Sequence, residues 1–97
     1  MQFACYGKGS YYRRHSDAQN ASRRVLTAIY YVDTGWTPEA GGQLVIRLPA
    51  GGNATIAPQA DRLLLFRSSL EHEVREVQPG HPPRCAVTQW LQDLFVP

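Results

Sequence analysis

Three side chains of this 97-residue sequence, His15, Asp17 and His72, have the chemistry to hold one metal ion. In an extended segment side chains alternate sides, so His15 and Asp17 point the same way and can grip an ion, while Ser16 points away. A second imidazole from a distant strand completes one triangular face of an octahedron and leaves three positions open, the donor set of a reactive ferrous site. His-x-Asp alone is a weak signal, because solvated strand ends carry the same residues. His72, set between Glu71 and Glu73, reads equally as a core or a solvated histidine, and His81 in a Pro-rich turn competes for the same role.

The last apolar segment adds a second kind of chemistry. Alternation puts Arg84, Ala86, Thr88 and Trp90 on one face and Cys85, Val87, Gln89 and Leu91 on the other. The first face opens with a guanidinium, continues with small residues that leave space, and ends with a large aromatic. An arginine pointing between sheets needs an anion, since an unpaired buried charge is very costly. A small carboxylate would satisfy it, and Tyr31, on the same face as Thr27 and Ile29, could add a phenol hydrogen bond. The competing reading turns Arg84 outward and leaves Tyr31 as ordinary packing.

These residues need strands to position them. Short β-branched, aromatic and aliphatic runs alternate with Gly, Pro, Asn and Asp clusters. Strands are expected near Phe3 to Tyr6, Tyr11 to His15, Arg24 to Val32, Gln43 to Leu48, Ala54 to Ala57, Arg62 to Phe66, His72 to Val77 and Arg84 to Leu91. Regular spacing without an amphipathic helix predicts an all-β sandwich or jelly roll and excludes βαβ winding. One face of such a roll stays wet unless something covers it.

The length fits one domain, and 43% apolar with 19% charged residues excludes disorder, collagen and coiled coil. Ten basic and eight acidic residues leave +2, too little to imply nucleic acid or membrane. Arg13, Arg14, Arg23 and Arg24 beside Tyr11 and Tyr12 form a basic aromatic patch, read as a solvated face rather than a nucleic-acid site. Two cysteines in no metal-type spacing are expected as reduced thiols, and no secretory or membrane segment is seen, so the expected location is cytoplasmic or nuclear.

Taken in order, the motifs resemble the iron- and 2-oxoglutarate-dependent prolyl 4-hydroxylase family, particularly its hypoxia-type prolyl hydroxylase branch. The similarity runs nearly end to end: Cys5-Tyr6 with a Gly-rich turn; Tyr12-x-Arg-His15-x-Asp17; Arg24 leading into Ile29-Tyr30-Tyr31; Gly41-Gly42; Asp61-Arg62-Leu63-Leu64; His72-Glu73-Val74; and Arg84-x-Ala-Val-Thr88-x-Trp90. The resemblance implies a double-stranded β-helix, a cupin-like jelly roll, with His15, Asp17 and His72 as catalytic Fe(II) ligands. It makes Arg84 the anchor for the distal carboxylate of 2-oxoglutarate, with Tyr31 and Thr88 as hydrogen-bonding partners, Tyr6 in the pocket, Leu44 and Ile29 as apolar walls, and Trp90 inward near the metal. The implied reaction uses O2, with L-ascorbate as an accessory cofactor, to hydroxylate a prolyl residue of a peptide or protein, releasing succinate and CO2. Kept alongside are the same chemistry on another side chain or small molecule, and an inactive truncated barrel that binds metal or a peptide.

The sequence also departs from that family. Residues 1–97 are expected to form a single catalytic core, N-terminally incomplete because the family's covering helices are missing. The connection Glu73 to Pro83 is a few residues longer than in that branch; a one-residue register slip there would turn Arg84 outward and leave Arg75 as the fallback anchor. The segment from Asp17 to Arg24 is short for a substrate-covering loop. The resemblance suggests that the first and last strands pair, which would make Cys5 and Cys85 cross-strand neighbours.

Overall fold

The computed structural model describes residues 2–7, 9–16 and 24–92. All eight expected strands form: β1 (Gln2–Tyr6), β2 (Tyr12–His15), β3 (Arg24–Tyr31), β4 (Leu44–Arg47), β5 (Asn53–Ile56), β6 (Leu63–Arg67), β7 (His72–Val74) and β8 (Arg84–Gln92). A single 3-10 turn, Pro38–Ala40, is the only helical element among the described residues. No helix of the described residues is long and apolar enough to cross a membrane.

The strands build two four-stranded antiparallel sheets, ordered β1-β8-β3-β6 and β2-β7-β4-β5. Alternation sends Ile29, Tyr31, Leu44, Ile46, Phe66 and Ala86 into one core between them. Burying each large apolar side chain contributes about 1.5–3 kcal/mol, which is what holds the sheets face to face. The other face of the β1-β8-β3-β6 sheet leaves Phe3, Leu63, Leu65 and Leu91 exposed, the wet face expected of an uncovered roll.

Two bulges re-aim side chains. Between β2 and β7 the register passes from Tyr12↔Val74 to His15↔His72, three steps against two, so Tyr12 and His15 share the inner face despite their odd spacing. Between β3 and β8 it passes from Leu26↔Leu91 to Arg24↔Gln92, which brings Arg24 inward.

The expected seventh strand stops at Val74 instead of Val77. Its backbone turns to other partners: the Arg75 N–H donates to the Gln43 carbonyl at 2.9 Å, Val77 forms an isolated bridge with Gly41, and the Gln78 N–H donates to the Ala40 carbonyl at 2.8 Å. The long β7–β8 connection is thus fastened on the way, and β8 starts with Arg84 facing in.

The expectation of reduced thiols is corrected. Cys5 stands directly opposite Cys85 in the β1–β8 register, their Cα atoms 4.0 Å apart, and the two form a disulfide. The pairing of first and last strands that the resemblance suggested is the one observed, whereas cysteine spacing carried no signal for the bond. The bond closes a loop of 80 residues' separation, and such closure stabilises by about 2–4 kcal/mol through restriction of the unfolded chain. Cys5→Ser should therefore lower the urea midpoint by that amount of stability; an unchanged midpoint would contradict the pairing.

Candidate functional site

Between the sheets lies a cavity of about 320 Å³. The inner row of β8 forms its floor, with Arg84 at one end and Trp90 at the other, separated by Ala86 and Thr88. Six residues of strand put these ends about 20 Å apart. Tyr6, directly opposite Arg84 on β1, and Ile29, directly opposite Thr88 on β3, line the same space, with Leu44 from the facing sheet.

Two histidines meet in this cavity. His15 and His72 are cross-strand partners with ring centroids 4.3 Å apart. His15 Nδ1 donates to the Arg13 carbonyl at 2.9 Å and His72 Nδ1 donates to the Leu70 carbonyl at 3.0 Å. A carbonyl only accepts, so Nδ1 of each ring carries a proton and is fixed by a backbone partner, as in a metal-ligating histidine that binds through Nε2. The edge of Phe66 packs on His72, with centroids 4.9 Å apart, and Phe66 pairs through Thr27 with Trp90. The imidazoles therefore lie toward the Trp90 end. Two imidazoles side by side suit a divalent transition metal. Among the described residues no group of three His, Cys, Asp or Glu side chains gathers for a metal, and Asp17, the expected third ligand, lies outside them.

Arg84 is 7% exposed and makes no ion pair among the described residues. Its guanidinium carbon lies 4.8 Å from the Tyr31 ring centroid and 5.5 Å from that of Tyr6. The aromatic faces recover part of its lost hydration. Arg84 Nε and the hydroxyl of Tyr31, which is fully buried, both lack a hydrogen-bond partner among the described residues. An unmatched donor beside an unmatched hydroxyl is the chemistry of a site for a carboxylate, which Arg binds with two parallel bonds. Burial pushes the Tyr6 phenol above its ordinary pKa, with the Arg84 charge opposing that rise, so Tyr6 is a neutral donor at pH 7.

Gly42 makes room for the guanidinium. A Cβ there would stand 2.9 Å from Arg84 Cδ, and the φ of 76° at Gly42 disfavours any side chain.

The sequence-predicted residues thus divide clearly. His15, His72, Arg84, Thr88, Tyr6, Leu44, Ile29 and Trp90 all line the cavity, and Tyr31 packs against Arg84. His81 lines a different, smaller cavity with Asp33 and Trp36, which removes it as the competing ligand. Arg75 is exposed and Arg84 is buried, so the register has not slipped. Arg24, expected on a basic surface, instead stacks over Trp90 at 4.0 Å and lines the cavity. Sequence reasoning missed it because the bulge at Val25 breaks strict alternation. Tyr12 was missed for the same reason on β2.

Residues 1–92 match the family model described as the 2OG-Fe(II) oxygenase superfamily. The chain belongs to the 2OG-Fe(II) oxygenase superfamily. Rat Egl nine homolog 1 is 40% identical over 93 residues, covering 93% of this chain and 27% of the relative. A Pseudomonas putida prolyl-4-hydroxylase structure superposes with a TM-score of 0.85 at 35% identity, covering 94% of this chain and 50% of the other. A Trichoplax adhaerens prolyl hydroxylase, solved with a hypoxia inducible factor oxygen degradation domain peptide fragment, gives 0.85 at 37% identity and covers 94% and 42%. The chain spans about a quarter of the first of these relatives and about half of the bacterial enzyme. The all-β double-stranded β-helix of this oxygenase superfamily is the fold observed.

Two outcomes follow from the geometry around Arg84. Removing its charge while keeping its bulk, by Arg84→Met, should raise the Tyr6 pKa further, read by NMR of ring-labelled tyrosine in alkaline titration; an unchanged pKa would mean that the two groups do not interact. Gly42→Ala should destabilise the chain by more than about 1 kcal/mol, because a positive φ and a close contact coincide, and a thermal midpoint equal to the parent's would contradict that contact.

Proposed function

We propose that this chain is the single-domain catalytic core of an Fe(II)- and 2-oxoglutarate-dependent dioxygenase that hydroxylates prolyl residues of a peptide or protein. The observation that carries the proposal is the shared cavity: an unmatched buried Arg84 beside the Tyr31 hydroxyl at one end, and two Nδ1-anchored imidazoles toward the other. The donor set fits the ligands the superfamily implies.

His15 and His72, with Asp17 as third ligand, would hold the iron. Bound iron supplies dioxygen activation and the oxidative decarboxylation of the keto acid to succinate and CO2. The chain supplies the rest. Arg84 fixes the distal carboxylate of 2-oxoglutarate by its planar fork, and Tyr31 and Thr88 add hydrogen bonds that set its angle. Neutral Tyr6 donates from the opposite strand. Ile29 and Leu44 exclude water along the sides, which strengthens each polar contact inside. Trp90 and Arg24 wall the end where the substrate carbon must approach the metal, so that orientation is set before reaction.

The substrate class rests on the prolyl hydroxylase relatives and on the peptide held by the Trichoplax enzyme. L-Ascorbate, as the reductant that keeps the iron ferrous, belongs to the same proposal. The cytoplasmic or nuclear location expected from sequence rested on reduced thiols; the Cys5–Cys85 disulfide fits an oxidising compartment instead.

The test is turnover. With Fe(II), 2-oxoglutarate, ascorbate and a proline-containing peptide, the protein should form succinate and a peptide heavier by one oxygen, and His72→Ala should abolish both. Succinate without peptide oxidation would move the proposal to another substrate. Metal binding with no succinate above the His72→Ala background would make the chain an inactive barrel.

A further inference from the structure

Behind the candidate metal site runs a buried set of hydroxyls that neither the resemblance nor the proposed reaction assigns. Ser16 is 5% exposed, and its Oγ donates to the Ser68 carbonyl at 2.9 Å across 52 residues of sequence. Ser68 is fully buried; its own Oγ shares a 2.9 Å hydrogen bond with Thr27 Oγ1, and its N–H donates to the Val25 carbonyl at 2.9 Å. Ser68 is therefore bolted to β3 by two bonds and holds Ser16 by a third. The same turn carries Leu70, whose carbonyl fixes the tautomer of His72.

Ser16 occupies the middle of the His-x-Asp motif and is joined by one peptide bond to each of two expected ligands. It follows an edge strand that has only β7 as neighbour and a bulge within its four residues. Backbone pairing alone leaves the end of such a strand weakly held. Its direction is set instead by the side-chain bond from Ser16 to Ser68.

We infer that Ser16 is a positioning residue for the metal site, its hydroxyl holding the chain just after His15 against the rigid Ser68–Thr27 pair. This rests on the metal-dependent reading above. A hydroxyl is needed because the Ser68 carbonyl is a buried acceptor: an alanine would leave it without this donor, and the turn would shift to recover one. Outer partners of metal ligands are worth about 10–100-fold in metal affinity, and Ser16 acts through the backbone in the same sense.

The experiment measures Mn(II) affinity of the full chain by electron paramagnetic resonance of the free ion, without 2-oxoglutarate and without turnover. Ser16→Ala should weaken Mn(II) binding by about tenfold, and Ser16→Thr, which keeps the hydroxyl, should restore most of it. Val45→Ala serves as the stability control: Val45 is buried but does not line the cavity, so it should lower the melting temperature without changing the Mn(II) affinity. Should Ser16→Ala fail to fold, the near-isosteric Ser16→Cys, a weaker donor, replaces it under the same criteria. Parental affinity in Ser16→Ala, or no recovery in Ser16→Thr, overturns the inference alone. Absence of Mn(II) binding by the parent chain overturns the inference together with the metal-dependent function.

Discussion

A guanidinium between two sheets is the constraint around which this small fold is arranged. Desolvating one charge costs several kcal/mol even after relaxation, and Arg84 has no carboxylate partner among the described residues to offset it. The protein limits that cost with π faces, Tyr31 beneath and Tyr6 beside, and with a glycine where any side chain would collide. What remains is an unmatched donor next to an unmatched hydroxyl. A fold that retained this arrangement without an anion to receive would carry a penalty that a leucine would avoid, which is the physical ground for the proposed carboxylate site.

The strands serve this arrangement through register more than through composition. Pairing of β1 with β8 sets Tyr6 opposite Arg84 and, one step along, Cys5 opposite Cys85. A covalent link therefore neighbours the anion site and pins the edge strand that carries Tyr6. On the facing sheet, the β2 bulge lets His15 stand against His72 while Tyr12 turns inward as well. The bulge of β3 carries Arg24 over Trp90. Irregularities at two strand ends thus build the end of the cavity where reaction is proposed, while regular pairing builds the carboxylate end.

That division also explains what could be read from sequence. The β8 row Arg84, Ala86, Thr88, Trp90 was legible because nine regular residues keep a period of two. Ile29 and Tyr31 followed from the same rule, and Leu44 from the family resemblance. Arg24 and Tyr12 were not legible, since a bulge adds one residue and reverses the face without a composition signal strong enough to announce it. The disulfide and the Ser16–Ser68 bond, separated by 80 and 52 residues, depend on pairings that no local window contains. The early end of β7 has a similar cause: Arg75 and Val77 find backbone partners on Gln43 and Ser10, a tertiary choice that outweighs the strand propensity of the segment.

Calorimetric titration of 2-oxoglutarate into the Mn(II)-loaded protein, compared with Arg84→Gln, tests the central claim most directly. Charged hydrogen bonds of this kind contribute about 1.5–3 kcal/mol, so the variant should bind the dicarboxylate at least tenfold more weakly while its Mn(II) affinity stays that of the parent. Equal 2-oxoglutarate affinity in the two proteins would show that the buried guanidinium is not the cosubstrate anchor.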